Sequence, residues 1–282
     1  MNTPAPETNS PAPGSLERWH QFRSARNEEL SQEHGWLTLT SLQWLTEEPS
    51  PMELLPGSWS ADGTSAELSA SAEDGLTLVS TGLPVDGTVT ASLADEDSLL
   101  WVYFGGADGR RVAVELARRG GRYALRTRDA ASAVYTGFNG VPTFDFRPDL
   151  VVRGRFEPYP EPVEVPIRTA NPAVDGIHLT VGEVVFRLPG SNQDYRLQAG
   201  GEGPGRLAIT FHDATNNQST AAWRKVAFDA PAPGSSKVTV DFNRAVNYPS
   251  AFTPYGTCPM PVGGNIIGLP VEAGEKQPEA ER

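Results

Sequence analysis

One cysteine and four histidines are spread over 282 residues, and each scarcity closes off a class of protein. Cys258 alone cannot make an internal disulfide, so the fold must be held by packing, a composition suited to a reducing cytoplasm. His20, His34, His178 and His212 include no pair three or four residues apart, the spacing that sets two imidazoles on one helix face, so no metal site is expected. Basic residues are also few. The 23 Lys and Arg against 35 Asp and Glu leave a net charge of −12, which opposes a phosphate backbone or an anionic leaflet. Neither nucleic acid nor membrane is therefore expected as a partner. No stretch approaches the ~20 apolar residues of a membrane span. Met1-Asn2-Thr3-Pro4-Ala5-Pro6 has neither the basic start nor the apolar centre of a secretion signal. The chain is expected to be soluble and cytoplasmic. Gly200-Gly201-Glu202-Gly203-Pro204-Gly205 has the glycines of a phosphate loop, but Pro204 and the strand pattern after it deny it a helix N-terminus. It reads as a flexible turn, and no cofactor is expected.

What the chain does have is the rhythm of antiparallel sheet. Residues 1–14 hold little to bury and read as a disordered leader. Ser15 then caps a helix whose apolar side is Leu16, Trp19, Phe22, the stem of Arg23, and Leu30, ending at His34-Gly35. A second, short helix is expected over Ser41 to Leu45. After Pro49 short apolar runs alternate with Asp-Gly, Gly-Gly and Pro signals. In the clearest hairpin Val112, Val114 and Leu116 alternate with polar or small residues, Gly120-Gly121 turns the chain, and Tyr123, Leu125 and Thr127 alternate on the return. That register sets Arg119 opposite Arg122, Leu116 opposite Leu125 inside, and Glu115 opposite Arg126 outside as an ion pair. Further strands are expected near Leu76–Ser80, Thr88–Leu93, Leu99–Phe104, Leu150–Phe156, His178–Leu188, Leu207–His212, Trp223–Phe228, Lys237–Phe242 and Ile266–Val271. The expected class is all-β, an antiparallel β-sandwich or partly closed barrel with one long and one short helix near the N-terminus. Residues 15–274 are expected to form a single β-rich domain, with 275–282 as a C-terminal tail. Gly137 to Asp149 is the best internal boundary, or else a long crossing loop.

The densest chemistry lies near the C-terminus, where Asp241-Phe242-Asn243-Arg244-Ala245 leads into a segment stiffened by Pro249, Pro254, Pro259 and Pro261. Together with Ala251-Phe252-Thr253-Pro254-Tyr255, Thr257-Cys258-Pro259-Met260-Pro261 and Ala273-Gly274-Glu275-Lys276, this run resembles the bacterial and archaeal family known as domain of unknown function 1684. Gly35-Trp36-Leu37, Leu42-Gln43-Trp44-Leu45, Arg128-Asp129 and Phe211-His212-Asp213-Ala214-Thr215 match as well. The resemblance implies the domain and brings no established reaction. Where relatives often read Asn-Pro-Pro-Cys-Ala, this chain has Asn247-Tyr248-Pro249-Ser250-Ala251, so a second thiol is absent. Relatives commonly carry arginine at the place of His212.

Three functions compete on these residues. The first is a small-molecule site for a polar or anionic ligand, built from Arg128, Asp213, Arg224, Asp241, Asn243, Arg244, Tyr255 and Asn265. Asp241 and Asn243 share a strand face and either line a cavity or tie down the loop that follows. Arg244 offers a planar fork to a carboxylate or phosphate, or pairs with Asp241 or Glu272. The second is a hydrolase or acyl transferase with Cys258 as nucleophile and His212-Asp213 as base and orienting acid, against the alternative of a buried cysteine acting as a small hydrophobe. The third is a non-catalytic interaction module. Trp19, Trp36 and Trp44 make either an aromatic ligand wall or, as is commoner, core.

Overall fold

The computed structural model describes residues 14–105 and 111–278; of the expected disordered leader, all but Gly14 lies outside the described residues. The chain is all-β in class, with antiparallel sheets and few helices, and it divides into two compact units. One unit runs from Glu29 to Phe138 and includes Phe252–Thr257; the other holds the residues up to Glu28, Asn139–Ala251 and the chain from Cys258 onward.

The unit containing Glu29–Phe138 is a sandwich of two sheets. Its strands in chain order are β1 (Leu39–Trp44), β2 (Ser50–Met52), β3 (Leu55–Ala61), β4 (Ala66–Ala70), β5 (Thr77–Leu78), β6 (Gly87–Ala91), β7 (Ser98–Phe104), β8 (Val112–Arg119) and β9 (Arg122–Arg128). The orders are β1-β9-β8-β7-β5 and β2-β3-β4-β6. Trp59 and Leu68 from the smaller sheet and Val102, Val114, Leu116 and Leu125 from the larger share one fully buried core. Gly120 and Gly121 both adopt positive φ, 56° and 74°, which is what a two-residue hairpin turn requires and only glycine accepts without strain. The β8–β9 register is as the alternation predicts: Arg119 faces Arg122, Leu116 faces Leu125, and Glu115 faces Arg126.

Two local expectations fail. Ser41 to Leu45 is not a helix; it lies in and just after β1, which pairs with β9, and a single 3₁₀ turn at Trp36–Thr38 precedes it. Five residues cannot sustain an isolated helix, whereas the open edge of β9 offers each of them a backbone partner. The Glu115–Arg126 pair is not outside either. Glu115 is 3% and Arg126 0% exposed, so the face of the hairpin opposite the sandwich core is buried too.

The second unit is one long sheet. Its strands are β10 (Val151–Arg168), β11 (Asp175–Phe186), β12 (Tyr195–Gly201), β13 (Arg206–Asp213), β14 (Arg224–Asp229), β15 (Lys237–Asp241), β16 (Val246–Asn247) and β17 (Ile266–Ile267). The order is β15-β10-β11-β12-β13-β14-β16, with β17 added in parallel to β13. The sheet curls until β14 and β15 lie close to each other, without hydrogen-bonding into a closed barrel. Inside the curl Phe186, Phe211 and Phe242 pack ring on ring, with centroids 5.6 and 5.5 Å apart. Helix α1 (Ser15–Leu30) buries Trp19, Arg23 and Leu30, while Leu16, expected on that apolar side, is 50% exposed at the helix start. Among the described residues no helix is long and apolar enough to cross a membrane.

Candidate functional site

The C-terminal motif works as a set of fasteners, and each of its polar residues has a geometric reason. Strands β12 and β13 pair only at Gly200–Ala208 and Gly201–Leu207, then separate. Asn265 fills the gap: its Oδ1 accepts from the Gln198 N–H (2.8 Å), and its Nδ2 donates to the carbonyls of Gln198 and Thr210 (2.9 Å each). The primary amide substitutes for a missing piece of strand, with both faces of its hydrogen-bonding capacity used.

Asp241 ends β15, and its Oδ1 accepts from the backbone N–H (3.1 Å) and side-chain Nδ2 (2.9 Å) of Asn243. The strand stops there instead of continuing to Asn243, which sits fully buried in a 3₁₀ turn, Phe242–Arg244. Asn243 in turn grips both the N–H and the carbonyl of Arg147, at 2.7 and 2.9 Å, and its own carbonyl accepts from the Trp19 indole at 3.0 Å. Arg244 lies 3.5 Å from Asp241 and over the Phe22 ring.

Arg224 has no exposed surface. It donates to Asp213 (2.8 Å) and to the carbonyls of Val271 (2.8 Å) and Ala273 (2.5 Å). Burial pulls its guanidinium below the ordinary value, against the pull of Asp213 and Glu275. The remaining oxygen of Asp213 accepts from the Thr215 N–H (2.8 Å), the Thr215 hydroxyl and the Val271 N–H (3.2 Å). Asp213 is thus engaged by Arg224 and its own turn. His212 directs its Nδ1 to the Ala222 carbonyl at 2.9 Å instead.

Glu275 of the Ala-Gly-Glu-Lys motif is fully buried and accepts from Arg23 (2.9 Å), Arg26 (3.3 Å) and the Asn247 N–H (2.6 Å). Gly274 makes this approach possible: its φ is +76°, and a Cβ there would lie 2.5 Å from the Ala245 carbonyl oxygen. Cys258 is buried, and its carbonyl accepts from the Ala170 N–H at 2.8 Å. Tyr248 bonds the Thr210 hydroxyl at 2.7 Å; burial, with Glu202 and Cys258 adding to it, pushes its phenol well above the ordinary range.

The unit containing Glu29–Phe138 holds a different arrangement. Alternation along β9 puts Arg126 and Arg128 on one face, and the register puts Glu115 across from Arg126. Glu115 accepts from Arg126 Nη1 at 3.3 Å and from Arg128 Nε at 2.7 Å, with Arg128 Nη2 closer still. Arg128 also donates to the carbonyls of His34 and Gly35, at 2.8 and 2.7 Å. Arg126 Nη2 donates to the Thr257 hydroxyl at 3.0 Å. Both guanidiniums lie against Trp36, their centres 5.7 and 5.2 Å from its ring. The Nε of Arg126 is buried with no hydrogen-bond acceptor among the described residues. Burial lowers the pKa of Arg126, as do Arg119 and Arg128, against the pull of Glu115. Glu115 is held below the ordinary carboxylate range: burial opposes its charge, but the two arginines outweigh it.

Tyr255 lies in the same unit as the cluster and is half-buried, its N–H donating to the Thr253 hydroxyl at 3.3 Å. The structure therefore brings together Asp213 with Arg224, Asp241 with Asn243 and Arg244, and the backbones of His212 and Asn265 (2.9 Å). From sequence, Arg126, Glu115 and Glu275 are not marked as site residues, and Trp36 figures only as part of an aromatic wall or core. The signal for the first two was an arginine at each of two alternate positions with one acid opposite, a motif that looks like a solvated face until something covers it.

The segment that holds the C-terminal fasteners matches a known family. The model described as "Protein of unknown function (DUF1684)" matches residues 136–276, and the chain belongs to that family. The matched segment includes Thr257 and the fasteners, while Glu115, Arg126 and Arg128 precede it. Among solved structures, the chain is similar to the solution NMR structure of an uncharacterised protein from Haloarcula marismortui, at 24% identity and a TM-score of 0.42, over 50% of this chain and 78% of that one. No curated protein matches.

Proposed function

We propose that the protein binds a small organic monoanion of carboxylate type, with Arg126 and Arg128 as the recognising groups. The observation that carries this is a charge count: two buried guanidiniums share the single carboxylate of Glu115, and Arg126 keeps a buried Nε–H without an acceptor among the described residues. A buried charge left uncompensated costs several kcal/mol, and an unmet buried donor about 1–3 kcal/mol more. A bound anion supplies the missing charge and the missing acceptor together. The excess of one positive charge suits a single carboxylate, whose two oxygens match the planar guanidinium fork. Trp36, already against both arginines, offers an apolar surface for the body of the ligand.

Of the ligand residues expected from sequence, Arg128 belongs to this cluster. Asp213, Asp241, Asn243 and Asn265 spend their hydrogen bonds on the chain itself, and Arg224, whose Nε also lacks an acceptor among the described residues, has Asp213 to balance its charge. Asp213 is engaged by Arg224, and His212 by the Ala222 carbonyl, so binding and not turnover is the activity proposed. The test is thermal unfolding in sodium acetate against sodium chloride at matched ionic strength, for the wild type and Glu115→Gln. Removing the Glu115 charge frees a second guanidinium, so the variant is expected to be less stable in chloride and to regain more stability in acetate than the wild type does. An identical response to the two salts in both proteins would overturn the proposal.

A further inference from the structure

We infer that the protein self-associates as a two-fold dimer through one face of the ribbon made by β10 and β11, the occupant of that face being a second copy of this chain. β11 pairs with β12 only from Thr180 onward, so residues 163–168 and 175–179 run on as two strands alone. Register sorts their side chains. Val165 lies across from His178 and Ile167 across from Gly176, and on this face Ile167 is buried. On the other face Glu164 lies across from Leu179, Pro166 from Ile177 and Arg168 from Asp175, and all six are exposed. Ile177 is 67% and Leu179 51% exposed. Single apolar side chains on a surface are ordinary, but alternate residues on one strand face lie only ~6.6 Å apart, so these two and Pro166 make one continuous patch.

The charges around the patch select its partner. Glu164, Arg168 and Asp175 have no ion-pair partner among the described residues. Glu164 and Arg168 stand two residues either side of Pro166, so a two-fold axis crossing the ribbon at Pro166 and Ile177 sets Glu164 of one copy against Arg168 of the other and repeats that contact at the opposite end. Between the two contacts Pro166 and Ile177 meet their own counterparts. An apolar centre with a polar rim, complementary to itself under a two-fold, has the make-up of an isologous interface. The open edge of β10 is closed to the alternative, strand-to-strand pairing. Phe156 directs its N–H outward to the Ser236 carbonyl, and Arg168 its carbonyl outward to the Met260 N–H. Backbone alternation therefore turns Pro158 and Pro166 outward as well, and neither has an N–H to offer an added strand.

The experiment is sedimentation equilibrium over a range of concentrations on the wild type, Ile177→Asp, Glu164→Arg and Arg168→Glu, each of which alters an exposed side chain. The wild type is expected to dimerise with rising concentration, and each variant alone to raise the dimer dissociation constant at least about tenfold, which corresponds to about 1.4 kcal/mol. An equimolar mixture of Glu164→Arg and Arg168→Glu is expected to regain the dimer, because each variant then carries the charges the other lacks. Damage to the fold of either variant would not be undone by mixing. A wild type that stays monomeric at every concentration, a dimer that survives Ile177→Asp, or a mixture of the two charge variants that stays monomeric overturns the inference.

Discussion

Arg224 and Asp213 meet at 2.8 Å with neither side chain exposed, and around them the terminal nitrogens of Arg224 also bond the carbonyls of Val271 and Ala273 while Asp213 also holds the Thr215 turn. The pair clamps residues 271–275 against the sheet. Removing one partner leaves the other charged in the core, which typically costs about 3–5 kcal/mol. Arg224→Leu is therefore expected to lower the melting temperature sharply, with Arg224→Leu/Asp213→Leu less damaged than the single variant; denaturant unfolding of both checks this. A double variant worse than the sum of its singles would remove the clamp.

Asn265→Ala should strip acceptors or donors from Gln198 N–H, Gln198 carbonyl and Thr210 carbonyl at once. At about 1–3 kcal/mol for each buried group left unmet, it is expected to rank among the most damaging single substitutions outside the apolar core. Asn265→Asp keeps the acceptor and loses the donors, and should fall between. Hydrogen exchange at the Gln198 amide, accelerated in both variants, reads the effect locally.

Gly274→Ala places a Cβ 2.5 Å from the Ala245 oxygen at a φ of +76°, so the backbone must move. The Glu275 fastener moves with it. We expect a loss of stability well beyond the ~1 kcal/mol of an ordinary Gly-to-Ala change at positive φ, measured against Gly75→Ala, where φ is +68° and the space is open.

The Asp241 carboxylate ties one backbone N–H and one amide of Asn243. Asp241→Ala is expected to cost about 1–2 kcal/mol and several degrees of melting temperature, while Lys237→Ala on the same strand costs nothing. Calorimetry on the two variants suffices; an unchanged Asp241→Ala would assign that carboxylate a role other than bracing.

Burial lowers the pKa of His178, whose Nδ1 bonds the Thr180 hydroxyl at 2.8 Å. A base with a depressed folded pKa takes up its proton more readily when unfolded. Stability therefore falls as pH drops through the unfolded value of about 6.5, and stops falling once the folded group titrates. His178→Gln is expected to flatten the dependence of the melting temperature on pH below about 7.

Legibility from sequence stops where coverage begins. The β8–β9 register followed from alternation and the Gly120-Gly121 turn, because a period of two admits one pairing once the turn is fixed. The same alternation leaves Glu115 and Arg126 on a face that reads as solvated, and nothing local says that Trp36 and Thr257 lie against it. Strands β3, β4 and β12 carry weaker signals: Trp59 and Leu68 sit among Ser, Gly and Glu that mask the period, and Tyr195, Leu197 and Ala199 run straight into the glycines of 200–205, which read as a turn although the strand continues to Gly201. Asn265 reads as a ligand residue, since no sequence pattern distinguishes an amide that meets a ligand from one that stands in for a strand.

The arginine Nε–H resonances test the central claim most directly. In protein labelled with ¹⁵N-arginine, titration with acetate at fixed ionic strength should shift the Nε–H signals of Arg126 and Arg128 along one saturable curve, and the Arg126 signal, identified by its loss in Arg126→Lys, should move the most. If neither signal moves, or both drift linearly as they would with salt alone, the two arginines serve Glu115 and Trp36 only, and the protein does not bind an anion there.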